Sequence, residues 1–348
     1  MADLGADVIK VEPPRGDPAR RTGPFYKDIP DRENSLYWMS YNANKKGMTL
    51  NIERKEGQEI FKRLVLDAHF VIESFSPGYM DNLGLGYSAL SNINKQIIVI
   101  SITPFGQTGP YRDYKASDIG CTAASGFMYL VGDRDRAPLR IGLPQSYQHA
   151  SVHALLGGLI AHHYRMTNGI GQHVDVSIQE SVSFLTYDAS VYWFLYHSLM
   201  ERDGSRRLRG SGLMRRNLWR CKDGYVLYVL LTGAHGAKSN RAMVEWMESE
   251  GMVASPLKET DFATFDYDKL TQEDLDKLEE PIGKFLLKHS QVELYKGAMK
   301  RHILLYPVST AKTLLEDSQL RSRNYWVKTK HPLLGDEVTY PGSFARFS

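Results

Sequence analysis

Cysteine is nearly absent from this chain of 348 residues, which carries only Cys121 and Cys221, in unrelated contexts with no CxxC or Cys/His spacing. That scarcity excludes a disulfide framework and a structural zinc site, and reads both thiols as buried core groups. Long apolar runs are also missing. Stretches such as Ile97 to Ile102 and His153 to Ala161 fall far short of the roughly 20 residues a membrane-spanning helix needs. No signal-peptide apolar region opens the chain, so the cytoplasm is the expected compartment and no membrane is expected as a partner. Charge of one sign is lacking as well, with 43 Lys and Arg against 40 Asp and Glu and no block of five like charges. Neither a nucleic-acid stripe nor a polybasic membrane patch is indicated.

Several catalytic signatures do not occur: GxSxG, GxxxxGK[ST], HExxH, or GxGxxG after a strand. Hydrolase, P-loop and metalloprotease readings fall with them. His149 and His153 are spaced to share a helix face, but no Asp or Glu lies between Asp135 and Asp175 to complete a ligand set. No metal site is expected.

What is present is an alternation of β-rich and helical segments: strands at Val8 to Val11, Phe70 to Glu73, Ile97 to Ile102 and His173 to Ser177, with helices near Glu56 to Leu66, Tyr87 to Asn92 and Ser151 to Tyr164. Alternation of this kind predicts an α/β fold with a mostly parallel sheet covered by helices. The Gly-rich segment Thr167 to Gln172 is a helix stop. Ser183 to Met200 is aromatic and helical, and Arg202 to Arg216, with six arginines and three glycines, reads as a linker carrying a mobile glycine loop. Leu218 to Leu231 reads as a strand pair around Lys222-Asp223-Gly224, and the acidic run Thr271 to Leu287 as a helix, which together predict a smaller α+β domain. The boundaries follow: a large domain over 1–185, a linker over 186–215, the small domain over 216–302, and a return to the large domain over 303–348. Gly106-Gln107-Thr108-Gly109-Pro110 follows a buried strand, where open α/β sheets place ligands, and so outranks Gly84-Leu85-Gly86 as a site.

The motifs match one family in order. Ala2-Asp3-Leu4-Gly5-Ala6-Asp7-Val8-Ile9-Lys10-Val11-Glu12, Gly16-Asp17, Asn44-Lys45-Lys46 and Glu56-Gly57 open the match. Val71-Ile72-Glu73-Ser74-Phe75-Ser76-Pro77-Gly78, Leu83 to Tyr87, Ile102 to Tyr111 and Gly169 to Ser177 continue it, and Cys221 to Val226, Pro307-Val308 and His331 to Gly335 complete it. Together they resemble the family III CoA-transferases, of the formyl-CoA and carnitine CoA-transferase type. The resemblance implies a Rossmann-like large domain, a smaller domain, and two subunits threaded as interlocked rings. It also implies trimming at both ends, since members of the family begin earlier and extend further. Coenzyme A and acyl-CoA would be substrates, with no permanently bound cofactor. Leu50, Asn51, Ser74, Phe75 and Lys115 would touch the coenzyme. Pro13 and Asn82 stand where arginines meet its phosphates in the family, and Arg15, Arg20 and Arg54 are possible substitutes. Gly210-Ser211-Gly212 would match the glycine loop that covers the thioester.

In such transferases an aspartate attacks the thioester to give a mixed anhydride, and the CoA thiolate returns to form an aspartyl-CoA thioester. The place of that aspartate, two residues after Gln145, holds Tyr147. A phenol, ordinarily with a pKa of about 10, cannot serve as this acyl acceptor, and no acid lies within ten residues of Tyr147. The racemase branch would use a histidine at Ser117 and an aspartate at Tyr147, so its acid/base pair is missing too. The resemblance therefore implies a non-catalytic subunit paired with a homologous, aspartate-bearing chain, as in two-gene CoA-transferases acting on succinyl-CoA and benzylsuccinate-like acids. Two other readings stand beside it. One is an active homo-oligomer using another carboxylate such as Asp118 or Glu180; the other is a binding or regulatory protein that holds CoA without chemistry.

Overall fold

The structure, a computed structural model, describes residues 1–208, 212–252, 254–331 and 334–346. Strand β1 (Ile9–Glu12), helix α1 (Leu36–Asn42) and strand β2 (Lys46–Thr49) come first, and β1 pairs with β2 in parallel. Helix α2 (Lys55–Asp67) then leads to β3 (Phe70–Glu73), α3 (Tyr79–Asn82) and α4 (Tyr87–Ile93) lead to β4 (Ile98–Thr103), and α5 (Asp118–Ala124) and α6 (Ser146–Asn168) lead to β5 (His173–Ser177). Parallel strands need such crossovers, and β3, β4 and β5 form a parallel sheet in that order. The fold is α/β with parallel sheets. Two compact units result: residues 1–117, 146–181 and 311–348 form the first, and 118–145 with 182–310 the second.

In the first unit the two faces of the β3-β4-β5 sheet are treated differently. Val99 joins Val65, Met80, Leu85, Leu90 and Ile97 in a buried cluster with α2, α3 and α4. The opposite face meets α6 through its two adjacent glycines. A β-carbon at Gly158 would stand 2.7 Å from Ile100 Cδ1, and one at Gly157 would stand 2.9 Å from Val174 Cγ1. Helix α6 runs further at both ends than the apolar pattern predicts. It starts two residues past Pro144 and stops at Gly169, whose φ of +72° suits glycine. Near the carboxyl terminus, α12 (Ala311–Glu316) and α13 (Ser318–Ser322) precede an antiparallel hairpin of Trp326–His331 with Asp336–Pro341.

The second unit continues from α7 (Ile178–Ser183) and α8 (Tyr187–Tyr196). Its core is Trp219, Tyr228, Trp246, Met247, Phe262 and Phe285, each at most 5% exposed. Strands Leu218–Arg220 and Tyr225–Tyr228 form the antiparallel pair read from the sequence. The helix over Gln272–Leu286 begins at a Thr271/Asp274 capping box, and that over Gln291–Arg301 at a Ser290/Glu293 box; each box satisfies orphan amide donors.

Two readings change. Residues 303–308 were placed with the large domain, yet Leu305–Pro307 hydrogen-bonds antiparallel to Tyr225–Tyr228 and belongs to the second unit's sheet. Residues 202–216 are not a plain linker, because Arg206–Leu208 pairs antiparallel with Met214–Arg216. Of the proposed glycine loop, Gly210 and Ser211 lie outside the described residues.

Gly158→Val should lower stability by about 2–3 kcal/mol, since the added methyls must displace Ile100 in a packed layer. Gly47→Ala, where a β-carbon meets nothing within 4 Å, should stay near wild type. Urea unfolding of the two variants checks this.

Candidate functional site

Helix α6 sets the polarity of the first unit. Near its carboxyl end the buried Arg165 donates to the carbonyls of His69 at 3.1 Å and Gln96 at 3.5 Å, residues that precede β3 and β4. That end of α6 therefore lies at the amino edge of the sheet, and its amino end, with Tyr147, lies toward the carboxyl edge. Open α/β sheets bind ligands at that edge, and a helix amino terminus favours negative charge. Tyr147, the second residue of the helix, is 40% exposed, and its carbonyl accepts the Ser151 hydroxyl. At the place where the family resemblance implies an acyl-accepting carboxylate, the helix carries a phenol.

The residues expected to touch coenzyme A sit on turns at the same edge. Leu50 and Asn51 follow β2; Leu50 is buried, and the Asn51 side chain accepts the Glu53 N–H at 3.0 Å. Gly57 lets α2 close over this turn, because a β-carbon there would stand 1.8 Å from the Asn51 carbonyl oxygen. Ser74 and Phe75 follow β3 and are exposed. The Phe75 ring packs against Tyr79 with centroids 4.6 Å apart, and the Tyr79 hydroxyl donates to Glu53 at 3.1 Å. That bond ties the segment after Asn51 to α3, against which Phe75 packs. Lys115 is exposed on the segment after β4 and makes no hydrogen bond to this group among the described residues. The Gly106–Gly109 loop stands at the end of β4, its Gln107 N–H shared between both Asp175 oxygens at 2.9 and 3.1 Å.

The three candidate replacement cations are not equivalent. Arg20 is a structural group: its guanidinium donates to Glu12 at 2.7 and 2.9 Å and to Glu33 at 3.0 Å, and it lies over the Trp38 ring at 4.1 Å. Arg15 and Arg54 are exposed, and the charge of Arg15 is felt at Tyr79, where burial and the bond to Glu53 raise the phenol pKa. A further cation escaped the sequence reading: Arg112 reaches within 3.9 Å of the β-carbon position of Gly78, beside the Phe75 turn. Only the folding of the segment after β4 brings it there, and no local motif marks it.

The other acids considered for catalysis are placed differently. Asp118 is 6% exposed, accepts the Gln145 N–H at 2.9 Å and stands 4.0 Å from Arg140 Nε. Glu180 is exposed in the first turn of α7. Both cysteines are free and buried, and burial pushes the Cys121 thiol up to about 11. Among the described residues no group of three His, Cys, Asp or Glu side chains is close enough to hold a metal, and no helix is long and apolar enough to cross a membrane.

The Arg20 guanidinium, by its hydrogen bonds, holds the Glu12 carboxyl below its ordinary value. A depressed acid stabilises the fold above its unfolded pKa and loses that contribution as pH falls toward the folded value. Arg20→Met should therefore cost about 2 kcal/mol at neutral pH, as expected for a charged, largely buried pair. The deficit should shrink below about pH 4.5, the ordinary glutamate range. Urea unfolding of both proteins at several pH values measures the difference.

Residues 1–348 match the family described as CoA-transferase family III. The chain is 36% identical over 348 residues to subunit BbsE of the succinyl-CoA:(R)-benzylsuccinate CoA-transferase of Thauera aromatica, covering 99% of this chain and 82% of that protein. It is 32% identical over 338 residues to the succinyl-CoA–D-citramalate CoA-transferase of Chloroflexus aurantiacus, covering 97% of this chain and 80% of that one. Among solved structures, a CaiB/BaiF family protein from Brucella suis superposes with a TM-score of 0.81 at 26% identity, over 99% of this chain and 86% of that one. With its motifs in order, its parallel sheet and a full-length match, this chain belongs to CoA-transferase family III.

Proposed function

We propose that this chain is the non-catalytic subunit of a hetero-oligomeric CoA-transferase that moves CoA between an acyl-CoA and a carboxylic acid. Its partner would be a homologous chain with aspartate at the place of Tyr147. One observation carries the reading: the amino end of α6 keeps its position at the carboxyl edge of the sheet, while the residue that should attack the thioester there is Tyr147. A phenol cannot pass through the mixed anhydride and the enzyme thioester, both of which need a carboxyl carbon. Asp118 is a poor replacement, since its carboxylate is buried and engaged by the Gln145 amide. Among the described residues no hydrogen bond or ion pair engages the Glu180 carboxylate; only its backbone N–H is bonded, to the Ser177 hydroxyl at 3.2 Å.

The surface supports a partner. In α6, Val152, Leu156, Leu159 and Ile160 are each more than half exposed, and in α8 no residue is buried, Phe194 being 81% exposed. Apolar faces of this extent, on helices not long and apolar enough to cross a membrane, are expected to be covered by another protein. Interlocking with a homologous chain, as the family resemblance implies, would cover them. The relative from Thauera aromatica carries the word subunit in its name, and both named relatives carry succinyl-CoA in theirs. Succinyl-CoA is accordingly the proposed donor. The coenzyme would lie on the turns of Leu50, Asn51, Ser74 and Phe75, with Lys115, Arg15 and Arg112 as cations for its phosphates.

The purified chain alone should transfer no acyl group, and addition of the Asp-bearing homologue should restore transfer from succinyl-CoA. Within that complex Tyr147→Phe should leave the rate within about twofold, because a residue outside the chemistry supplies no transition-state stabilisation. Hydroxylamine trapping during turnover, followed by peptide mass analysis, should modify the partner's aspartate only. Turnover by this chain alone, or a trapped Asp118 or Glu180, would sink the proposal.

A further inference from the structure

The turn that carries Ser74 and Phe75 starts from a row of polar side chains running across the sheet. Glu73 ends β3 directly opposite Ser101 of β4, and Val99, two residues before Ser101, pairs with His173 of β5. Side chains at Glu73, Ser101 and His173 therefore share one face of the sheet. The Ser101 oxygen lies 2.9 Å from His173 Nε2, and the strand register sets Ser101 beside Glu73. At the other end, Glu73 Oε2 accepts the Phe75 N–H at 2.7 Å. Ring, hydroxyl, carboxylate and backbone amide thus lie in one row.

Each member is fixed. Ser101 is 4% exposed; Tyr87 stacks on the His173 ring at 5.6 Å with planes 15° apart, and its own hydroxyl donates to the Gly171 carbonyl at 3.0 Å. A cavity of about 230 Å³ runs along the row, lined among others by Glu73, Ser76, Asp81, Ser101, Gln107 and His173, and the His173 ring is open to solvent. A carboxylate that accepts a backbone amide binds it more strongly when ionised. No salt bridge to Glu73 occurs among the described residues, so its charge rests on the Phe75 amide rather than on an ion pair.

We infer that Glu73 is a positioning residue for coenzyme A, setting the Phe75 turn through the Phe75 amide, with Ser101 and His173 holding its carboxylate in place. This rests on the reading that the coenzyme lies on that turn. The groups facing Glu73 are Ser101 from β4, His173 from β5, Asp81 from α3 and the Phe75 amide from its own turn. Burial pushes the Glu73 pKa up, with Asp81 adding to the rise and Ser101, the Phe75 amide and His173 opposing it. Acidification therefore protonates Glu73 above the ordinary glutamate range and loosens the turn.

Calorimetry with coenzyme A on the full chain tests this. Wild type should bind more weakly as pH falls through the Glu73 titration. Glu73→Gln, nearly the same in shape, should bind about tenfold more weakly at neutral pH, the loss expected for one charge-assisted hydrogen bond, and should lose that pH dependence. Ser101→Ala should bind more weakly as well, and should move the Phe75 amide resonance followed by NMR in the absence of ligand. Circular dichroism verifies that both variants fold; if Glu73→Gln does not, Ser101→Ala carries the test. Equal affinity and an unchanged pH profile in a folded variant would overturn the positioning role while leaving the coenzyme site intact. Absence of binding by wild type at every pH would overturn the coenzyme reading itself, and the inference with it.

Discussion

The close approach of α6 to the β3-β4-β5 sheet is the contact on which the first unit depends. A parallel sheet has to be covered on both faces, and a helix can lie this near only where it presents no side chain. Gly157 and Gly158 provide that opening against Val174 and Ile100. Arg165 then ties the far end of the helix to the carbonyls of His69 and Gln96. With these contacts the helix has one available direction, and its amino end lies at the edge where the turns after β2, β3 and β4 emerge.

That geometry fixes the amino end of α6 through contacts made further along the helix. The residues that seat the helix against the sheet lie further along it: Gly157, Gly158 and Arg165. The segment after Asn51 is tied to α3 by the Tyr79 to Glu53 hydrogen bond, and Gly57 admits the Asn51 carbonyl.

Legibility varied with the range of the interaction. Phe70–Glu73 and His173–Ser177 are read to the residue because apolar strands bounded by turns are local signals. The helix over Gln272–Leu286 is read from the acidic helical run Thr271 to Leu287. The strand at Leu305–Pro307 is equally plain as a strand, but its partner lies some eighty residues earlier in the chain, and periodicity says nothing about partners. For the same reason Arg20 looks like a free cation in the sequence, and only its pairing with Glu12 and Glu33 reveals it as structural.

By itself the sequence determined the α/β class, the family, and that a tyrosine rather than an acid stands two residues after Gln145, since each is a matter of residue identity and order. The tertiary structure alone decided which groups meet: Arg112 beside the Phe75 turn, Asp118 against the Gln145 amide, and Ser101 against His173. The physical reason is one of distance. Ser101 and His173 are separated by 72 positions along the chain and by 2.9 Å in space, and only the parallel register of the strands brings them into contact.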